Sequence, residues 1–359
     1  MKNRNLKTKE LNNGGNSIIG MLMLLLTNIS SVLMRHLYID ELMTLTDIES
    51  KGVLDKLHIH GPSIDDNYLE ANFTKSTFST KKGKPSYAEG YIYQHKSSGK
   101  RFTLFSRPWF QNVTHPYFIQ INPNQFSSLD EIQKFLMEVM GVDSYKEHHL
   151  TRVDISILLP RRLFPVKLFK DTAYFKWKRG LIEHRSEYRA GLVSGYYSGK
   201  SKTLRISIYD VDTKNIQRYK KKTNCCQTNF EIQAFSGFLN KNEIRQVSDL
   251  PRIIKTNIFK RVSFFNTYLH RNTLGADQIN KFVKVQEETV DGGFHNARYR
   301  LNKASGRNFN RDYKGVLRLF RIGIQQKSLR SVLEANFKRD FRRWCRGADT
   351  SLTDIRPVQ

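Results

Sequence analysis

Thr151-Arg152-Val153-Asp154-Ile155-Ser156-Ile157-Leu158 alternates between polar and apolar side chains from Arg152 to Ile157. In an extended strand, successive side chains point to opposite faces. Val153, Ile155 and Ile157 therefore share one face, and Arg152, Asp154 and Ser156 the other. Two later stretches read the same way. In Leu204-Arg205-Ile206-Ser207-Ile208-Tyr209-Asp210, the aliphatic residues oppose Arg205, Ser207 and Tyr209. In Asn229-Phe230-Glu231-Ile232-Gln233, Phe230 and Ile232 oppose Asn229, Glu231 and Gln233. If these strands share a sheet, one face is apolar and packs helices. The other carries a tyrosine, two carboxylates and cations.

The 359-residue chain has 60 Lys+Arg against 33 Asp+Glu, a net charge of +27. So large an excess repels itself unless an anion is close, and the usual anion is nucleic-acid phosphate, bound with release of counterions. An acidic membrane surface is the other partner of this kind. A basic ribosomal-type extension is opposed by 39% hydrophobic and 12% aromatic residues, enough for a folded core. Cys225, Cys226 and Cys345 make no disulfide framework and no Cys-x-x-Cys pair, so a reducing cytoplasm fits.

Outward from the three strands, hydrophobic periodicity marks further elements. A helix is expected over 35–54 and a strand over 53–60, stopped by Gly61-Pro62, with 63–86 polar and turn-rich. Strands at 87–94 and 101–106 flank Ser97-Ser98-Gly99 as a hairpin, and another strand covers 117–121. Ser128 caps a helix with Leu129, Ile132, Leu136 and Val139 as its apolar stripe and Gly141 as its stop. Residues 172–188 are strand-like or mixed. A hairpin joins 190–197 to 203–211, basic residues 218–222 form a loop, and a strand follows at 229–235. Beyond about 240 the pattern is helical, ending in a basic helix over 328–345 with Arg330, Lys338, Arg339, Arg342 and Arg343.

The N-terminus pairs Lys2, Arg4, Lys7 and Lys9 with an apolar run over 18–26, too short for an unambiguous membrane span. An export signal, a tethering helix and an over-extended start, with Met34 or Met43 as the true first residue, all fit this pattern. The expected layout is an apolar and basic extension over 1–45, a catalytic domain over 46–240, and a basic, mostly helical region over 241–359. The fold class is α/β of the α+β type, with a mainly antiparallel sheet, helices on one face and nucleic acid on the other.

Several segments, in order, resemble the plasmid rolling-circle replication initiators of the Rep-trans family, which includes relaxases of integrative elements. Leu54-Asp55-Lys56-Leu57-His58-Ile59-His60-Gly61 is similar to that family's first strand with its early aspartate. Ile119-Gln120-Ile121-Asn122-Pro123 is similar to its strand leading into Asn-Pro and a helix. Thr151-Arg152-Val153-Asp154 resembles its Thr-Arg-Leu-Asp strand. The hairpin from Gly195-Tyr196-Tyr197 to Ile208-Tyr209-Asp210 resembles the one bearing the nucleophile, and Phe230-Glu231-Ile232 the strand that follows. The likeness covers about 50–240.

The resemblance implies a DNA nicking-closing enzyme acting at a replication origin. A tyrosine attacks one strand, becomes joined to the 5′ phosphate and frees a 3′ hydroxyl. Carried over, Tyr209 is the nucleophile and Arg205 a catalytic cation. Asp55, Asp154 and Glu231 are the candidates to hold Mg²⁺ or Mn²⁺. A phenol with a pKa near ~10 needs a metal or a base to attack well, and hard divalent ions prefer carboxylate oxygens. Arg152, Lys200, Lys202, Lys220, Lys221 and Lys222 are expected to contact DNA, as are Arg339, Arg342 and Arg343 on the last helix. The implied partners are double- and single-stranded origin DNA, with a host helicase and a second copy of the chain as further expectations.

The chain departs from the family pattern. Leu158 stands where a second aspartate usually ends the Arg-x-Asp strand, and Ser207 replaces the arginine two before the tyrosine. Val211 replaces the lysine two after it, and Gln233 a second acid on the last strand. Either Arg205 and Lys214 substitute for the lost charges, or the chemistry has gone and a DNA-binding regulator of the same fold remains.

Plainer readings stand beside each residue. Tyr209 is one of 16 tyrosines, and strand tyrosines usually pack. Asp154 pairs with Arg152 or Arg205 on an exposed face; Glu231 is a cross-strand partner; Asp55 caps a turn; the 220–222 lysines are a solvated loop. His58-Ile59-His60 fits a second class of rolling-circle nuclease with a His-hydrophobic-His strand, although no helical tyrosine with a neighbouring lysine follows. Gly195-Tyr-Tyr-Ser-Gly199-Lys200-Ser201 has one residue too few for a phosphate-binding loop, and a strand follows where that loop needs a helix.

Overall fold

The computed structural model describes residues 51–77, 87–109, 115–161, 166, 169, 173–175, 182–185, 193–199, 202–219, 223–264, 276–306, 309–313, 323–324 and 327–347. The expectations for the N-terminal extension and for Lys200, Lys220, Lys221 and Lys222 lie outside these residues.

The strands are β1 (Lys51–Gly61), β2 (Phe73–Thr77), β3 (Tyr87–His95), β4 (Arg101–Pro108), β5 (Tyr117–Ile121) and β6 (His149–Pro160). They continue with β7 (Ala173–Phe175), β8 (Ile182–Arg185), β9 (Val193–Gly199), β10 (Leu204–Asp210), β11 (Gln227–Phe235) and β12 (Val262–Phe264). Ten of them form one sheet in the order β2-β3-β4-β5-β1-β6-β11-β10-β9-β8. Every neighbouring pair in it is antiparallel. The three diagnostic stretches are adjacent as β6-β11-β10, with Ser156 opposite Glu231 and Glu231 opposite Ser207. β7 pairs with β12 in a separate ribbon.

The helices are α1 (Asp66–Asn72), α2 (Leu129–Met140), α3 (Val142–Glu147), α4 (Val211–Tyr219), α5 (Ser236–Lys241), α6 (Ala276–Ala304), α7 (Phe309–Asp312) and α8 (Leu329–Cys345). α2 matches its expected limits: the Ser128 hydroxyl accepts from the Glu131 N–H, and Gly141 ends it with φ 78°. The expectation that 63–86 is merely turn-rich gives way to α1 and β2, with Asp65 capping α1 by accepting from the Tyr68 N–H. The helix expected over 35–54 cannot reach 54, because β1 begins at Lys51 and Leu54 pairs with Ile155.

One apolar cluster occupies the greasy face. It joins Leu54, Ile155, Ile157, Ile206, Ile208 and Ile232 of the sheet to Ile132 and Leu136 of α2 and to Leu333, Phe337 and Phe341 of α8. The C-terminal helix thus belongs to the core built on the strands, across the division expected near 240. Gly52 permits this approach: a Cβ there would lie 2.6 Å from the Phe337 Cα. Its N–H donates to Asp340 Oδ2 at 2.9 Å, and the Trp344 indole N–H donates to the Phe126 carbonyl at 3.0 Å. Among the described residues no helix is long and apolar enough to cross a membrane.

Candidate active site

The opposite face of β10, β11 and β6 carries Arg205, Ser207 and Tyr209, then Gln233, Glu231 and Asn229, then Asp154 and Ser156, in register. The Tyr209 hydroxyl donates to Glu231 Oε2 at 2.8 Å and accepts from Asn229 Nδ2 at 2.5 Å. Asn229 also donates to Ser156 Oγ at 3.0 Å. The phenol's proton is therefore directed at a carboxylate, and its oxygen is oriented by an amide. Gly195 of β9 lies opposite Tyr209, where a Cβ would come within 2.5 Å of the Ile208 carbonyl oxygen and 2.9 Å of the Tyr209 Cβ. The glycine keeps room beside the tyrosine.

Helix α4 adds what the strands lack. Sequence reading runs the β10 strand to Val211 and leaves 218–222 as a loop. Instead β10 ends at Asp210, whose Oδ1 accepts from the Thr213 N–H at 2.8 Å and starts α4. One turn on, Lys214 Nζ sits 3.6 Å from the centre of the Tyr209 ring and 3.8 Å from Glu231 Oε2. The face expected to be free of helices thus receives α4 beside the tyrosine. A lysine thus stands beside the tyrosine in space although Val211 occupies the sequence position of the family's lysine. The strand-ending Asp followed by a Thr three residues later was the legible signal for this helix.

The base of α4 is clasped to the loop before β11. Arg161 donates to Asp210 Oδ2 at 2.9 Å and to Asp212 Oδ2 at 3.1 Å. Asp212 also accepts from the Thr223 hydroxyl and from the N–H groups of Cys225 and Cys226. Although burial works against it, these bonds and Arg161 hold the Asp212 carboxyl below its ordinary range. None of these residues was singled out in the sequence beyond the two cysteines.

Asp55, the weakest of the carboxylates by sequence, is the extra residue of a β-bulge: Leu54 pairs with Ile155 and Lys56 with Asp154. A bulge re-aims its side chain, and Asp55 acts electrostatically on both Tyr209 and Arg152. Arg152 grips Asp154 with two bonds, Nε to Oδ1 at 2.6 Å and Nη2 to Oδ2 at 2.7 Å. Arg205 lies 5.1 Å from the Tyr197 ring centre, on the strand position two rows from Tyr209. Lys202 is exposed at the hairpin.

The electrostatics follow from burial and neighbours. Burial, with the charges of Glu231 and Asp55, pushes the Tyr209 phenol well above its ordinary range. Burial and Glu231 push Asp154 up to about 7 despite Arg152. Burial also works to raise Glu231, but Lys214 and the bonds from Gln233 and Tyr209 outweigh it and keep that carboxyl below its ordinary range.

These carboxylates do not fit a divalent cation as they stand. Both Asp154 oxygens are held by Arg152. Glu231 accepts from Tyr209 on one oxygen and from Gln233 on the other. Among the described residues no three His, Cys, Asp or Glu side chains converge as a metal would require. The histidine pair is likewise engaged elsewhere: His58 is buried edge-on to Phe118, and His60 Nδ1 is 3.2 Å from the Tyr87 hydroxyl.

Arg339, Arg342 and Arg343 are exposed on α8. Because α8 packs on the greasy face, they lie across the sheet from Tyr209.

No family model and no curated protein matches this chain. Among solved structures it is similar to a rolling circle replication initiator protein from Geobacillus stearothermophilus, at 15% identity and a TM-score of 0.39, over 69% of this chain and 99% of that one.

Proposed function

We propose that the protein nicks and rejoins single-stranded DNA at a replication origin through Tyr209. The observation that carries this reading is the Tyr209 hydroxyl donating to Glu231 at 2.8 Å beneath the Lys214 ammonium. A buried strand tyrosine needs a hydrogen-bond partner for its hydroxyl; Tyr209 has a carboxylate acceptor, an orienting amide and, in addition, a cation over its ring. Together they supply a nucleophile, a proton acceptor and positive charge for a phosphate. The chain's net charge of +27 suits a polyanionic substrate.

In the attack, the Tyr209 oxygen forms a bond to phosphorus while its proton passes to Glu231 Oε2. The bond from phosphorus to the 3′ oxygen breaks, and that oxygen takes a proton from a water molecule, which the proton received by Glu231 restores. Asn229 fixes the direction of the phenol oxygen, and Gln233 and Lys214 hold the Glu231 carboxylate. Rejoining reverses each step: the 3′ hydroxyl attacks the phosphotyrosine and Glu231 returns the proton.

The test is to incubate the full chain with a random-sequence pool of single-stranded oligonucleotides, denature, and capture DNA left attached to protein. Mass spectrometry is expected to place a phosphodiester on Tyr209, absent in Tyr209→Phe. No covalent DNA, with DNA binding unaffected by Tyr209→Phe, refutes the proposal and leaves a non-catalytic regulator. Cleavage that survives Tyr209→Phe and fails in His58→Ala would transfer the chemistry to the histidine pair.

A further inference from the structure

We infer that Lys214, delivered by α4, takes the place of a divalent metal ion in activating Tyr209, so that strand transfer by this chain is independent of metal. The inference rests on the nicking proposal and specifies its cation.

Three observations lead to it. Two of the three acidic side chains that a metal would need are engaged: Arg152 spans both oxygens of Asp154, and Tyr209 and Gln233 take the two oxygens of Glu231. A metal would have to displace a guanidinium from a carboxylate that is 1% exposed. A cation already stands at the tyrosine, 3.6 Å from the Tyr209 ring centre and 3.8 Å from Glu231 Oε2. The route of its arrival is built into the backbone: Asp210 caps α4 directly after the nucleophile, and Arg161 with Asp212 fastens that helix start. The backbone that carries Lys214 is therefore fixed beside Tyr209.

The charge accounting agrees. The phenol sits beside Glu231 and Asp55, both of which oppose its ionisation. An incoming phosphodiester adds another negative charge. The Lys214 ammonium, one-third exposed at 36%, is placed to meet that phosphate while its cation–π contact holds it over the ring. Lys214 loses no proton in the reaction: it stabilises charge as the phenol proton moves to Glu231 and the phosphorus–oxygen bond is exchanged.

Two measurements on the full chain decide the matter. The first is Mn²⁺ binding followed by electron paramagnetic resonance, in the wild type and in Glu231→Gln; no stoichiometric site lost in Glu231→Gln is expected. The second is the single-turnover rate of covalent DNA attachment with and without excess chelator. Chelator is expected to leave the rate within about twofold, whereas Lys214→Ala lowers it by about 10²-fold, the usual effect of removing one preorganised charge-stabilising group. Lys214→Arg, which keeps the charge, is expected to restore a substantial part. A Mn²⁺ site abolished by Glu231→Gln, or a rate abolished by chelator and unchanged in Lys214→Ala, overturns the inference while leaving Tyr209 as nucleophile. If the wild type attaches no DNA under any condition, the nicking proposal itself falls, and the Mn²⁺ measurement still decides whether these acids bind metal.

Discussion

Asp154→Asn isolates the electrostatic state of the acidic hollow. Asp154 is buried, and its carboxyl is raised from 3.8 to about 7 by burial first and by Glu231 second. A carboxyl whose folded value lies above its unfolded value binds its proton more tightly in the folded chain. Its contribution to stability is complete below about pH 3.8 and is lost as pH rises through about 7. The shift spans about three pH units, and at about 1.36 kcal/mol per unit the full loss is about 4 kcal/mol. Asparagine cannot ionise and suffers no such loss. Near pH 4 the difference between variant and wild type sets a baseline that contains the loss of an acceptor for Arg152.

Relative to that baseline the variant should gain on the wild type as pH rises, by up to about 4 kcal/mol at pH 8. Urea unfolding of both proteins from pH 4.5 to 8.5 measures this, and the difference between them cancels every other titrating group. A difference that stays flat would show Asp154 ionised throughout, with Arg152 dominating its environment. In that case the hollow would hold one more negative charge at neutral pH than argued above, and its attraction for a divalent cation would rise accordingly.

Glu231→Gln removes the acceptor of the Tyr209 proton, and the rate of covalent attachment should fall about 10²- to 10⁴-fold, read in single-turnover assays, with DNA affinity retained in a filter-binding titration. Gly195→Ala drives a Cβ to within 2.5 Å of the Ile208 carbonyl oxygen and against Tyr209; attachment should slow by at least about tenfold, as for a small misplacement of a reacting group, and a normal rate would show that this approach is unimportant. Phe337→Ala empties a fully buried position between α8 and β1 and should cost about 3–5 kcal/mol, measured by chemical denaturation. Replacing Arg342 and Arg343 together by alanine should reduce the salt dependence of duplex binding by about two phosphate contacts while leaving the rate of attachment to a short single strand unchanged.

The sheet was legible because β6, β10 and β11 alternate strictly, so period alone assigns each residue to a face. α2 was legible because Ser128, its apolar stripe and Gly141 agree on both ends. Local pattern could not show the bulge at Asp55: Leu54-Asp55-Lys56-Leu57 reads equally well as an unbroken strand, and only its pairing with Ile155 and Asp154 reveals the extra residue. Nor could it show that Lys214 returns to Tyr209. At five residues' separation the two are far apart if the strand continues and adjacent only if a helix begins at once, so the outcome turns on the Asp210 cap. Arg152 makes a bidentate pair with Asp154 because two strand positions on one face are close enough for it. The partners that settle each role, Asn229, Ser156 and Gln233, come from cross-strand register, which no single strand contains.

The placement of α8 has a mechanical consequence for how DNA meets the protein. A helix packed on a sheet lies about 10 Å from it and is itself about 10–12 Å across. Arg342 and Arg343, on the outer side of α8, are therefore of the order of 15–20 Å from the Tyr209 face, with the apolar core between. The arginines and the tyrosine cannot engage the same phosphate. On the proposed function, the reacting nucleotide would sit against β10 and β11 beside Lys214 of α4. Contacts made by α8 then add affinity for flanking DNA without touching the reacting bond, which is why their loss should appear in the salt slope of binding and not in the rate of attachment.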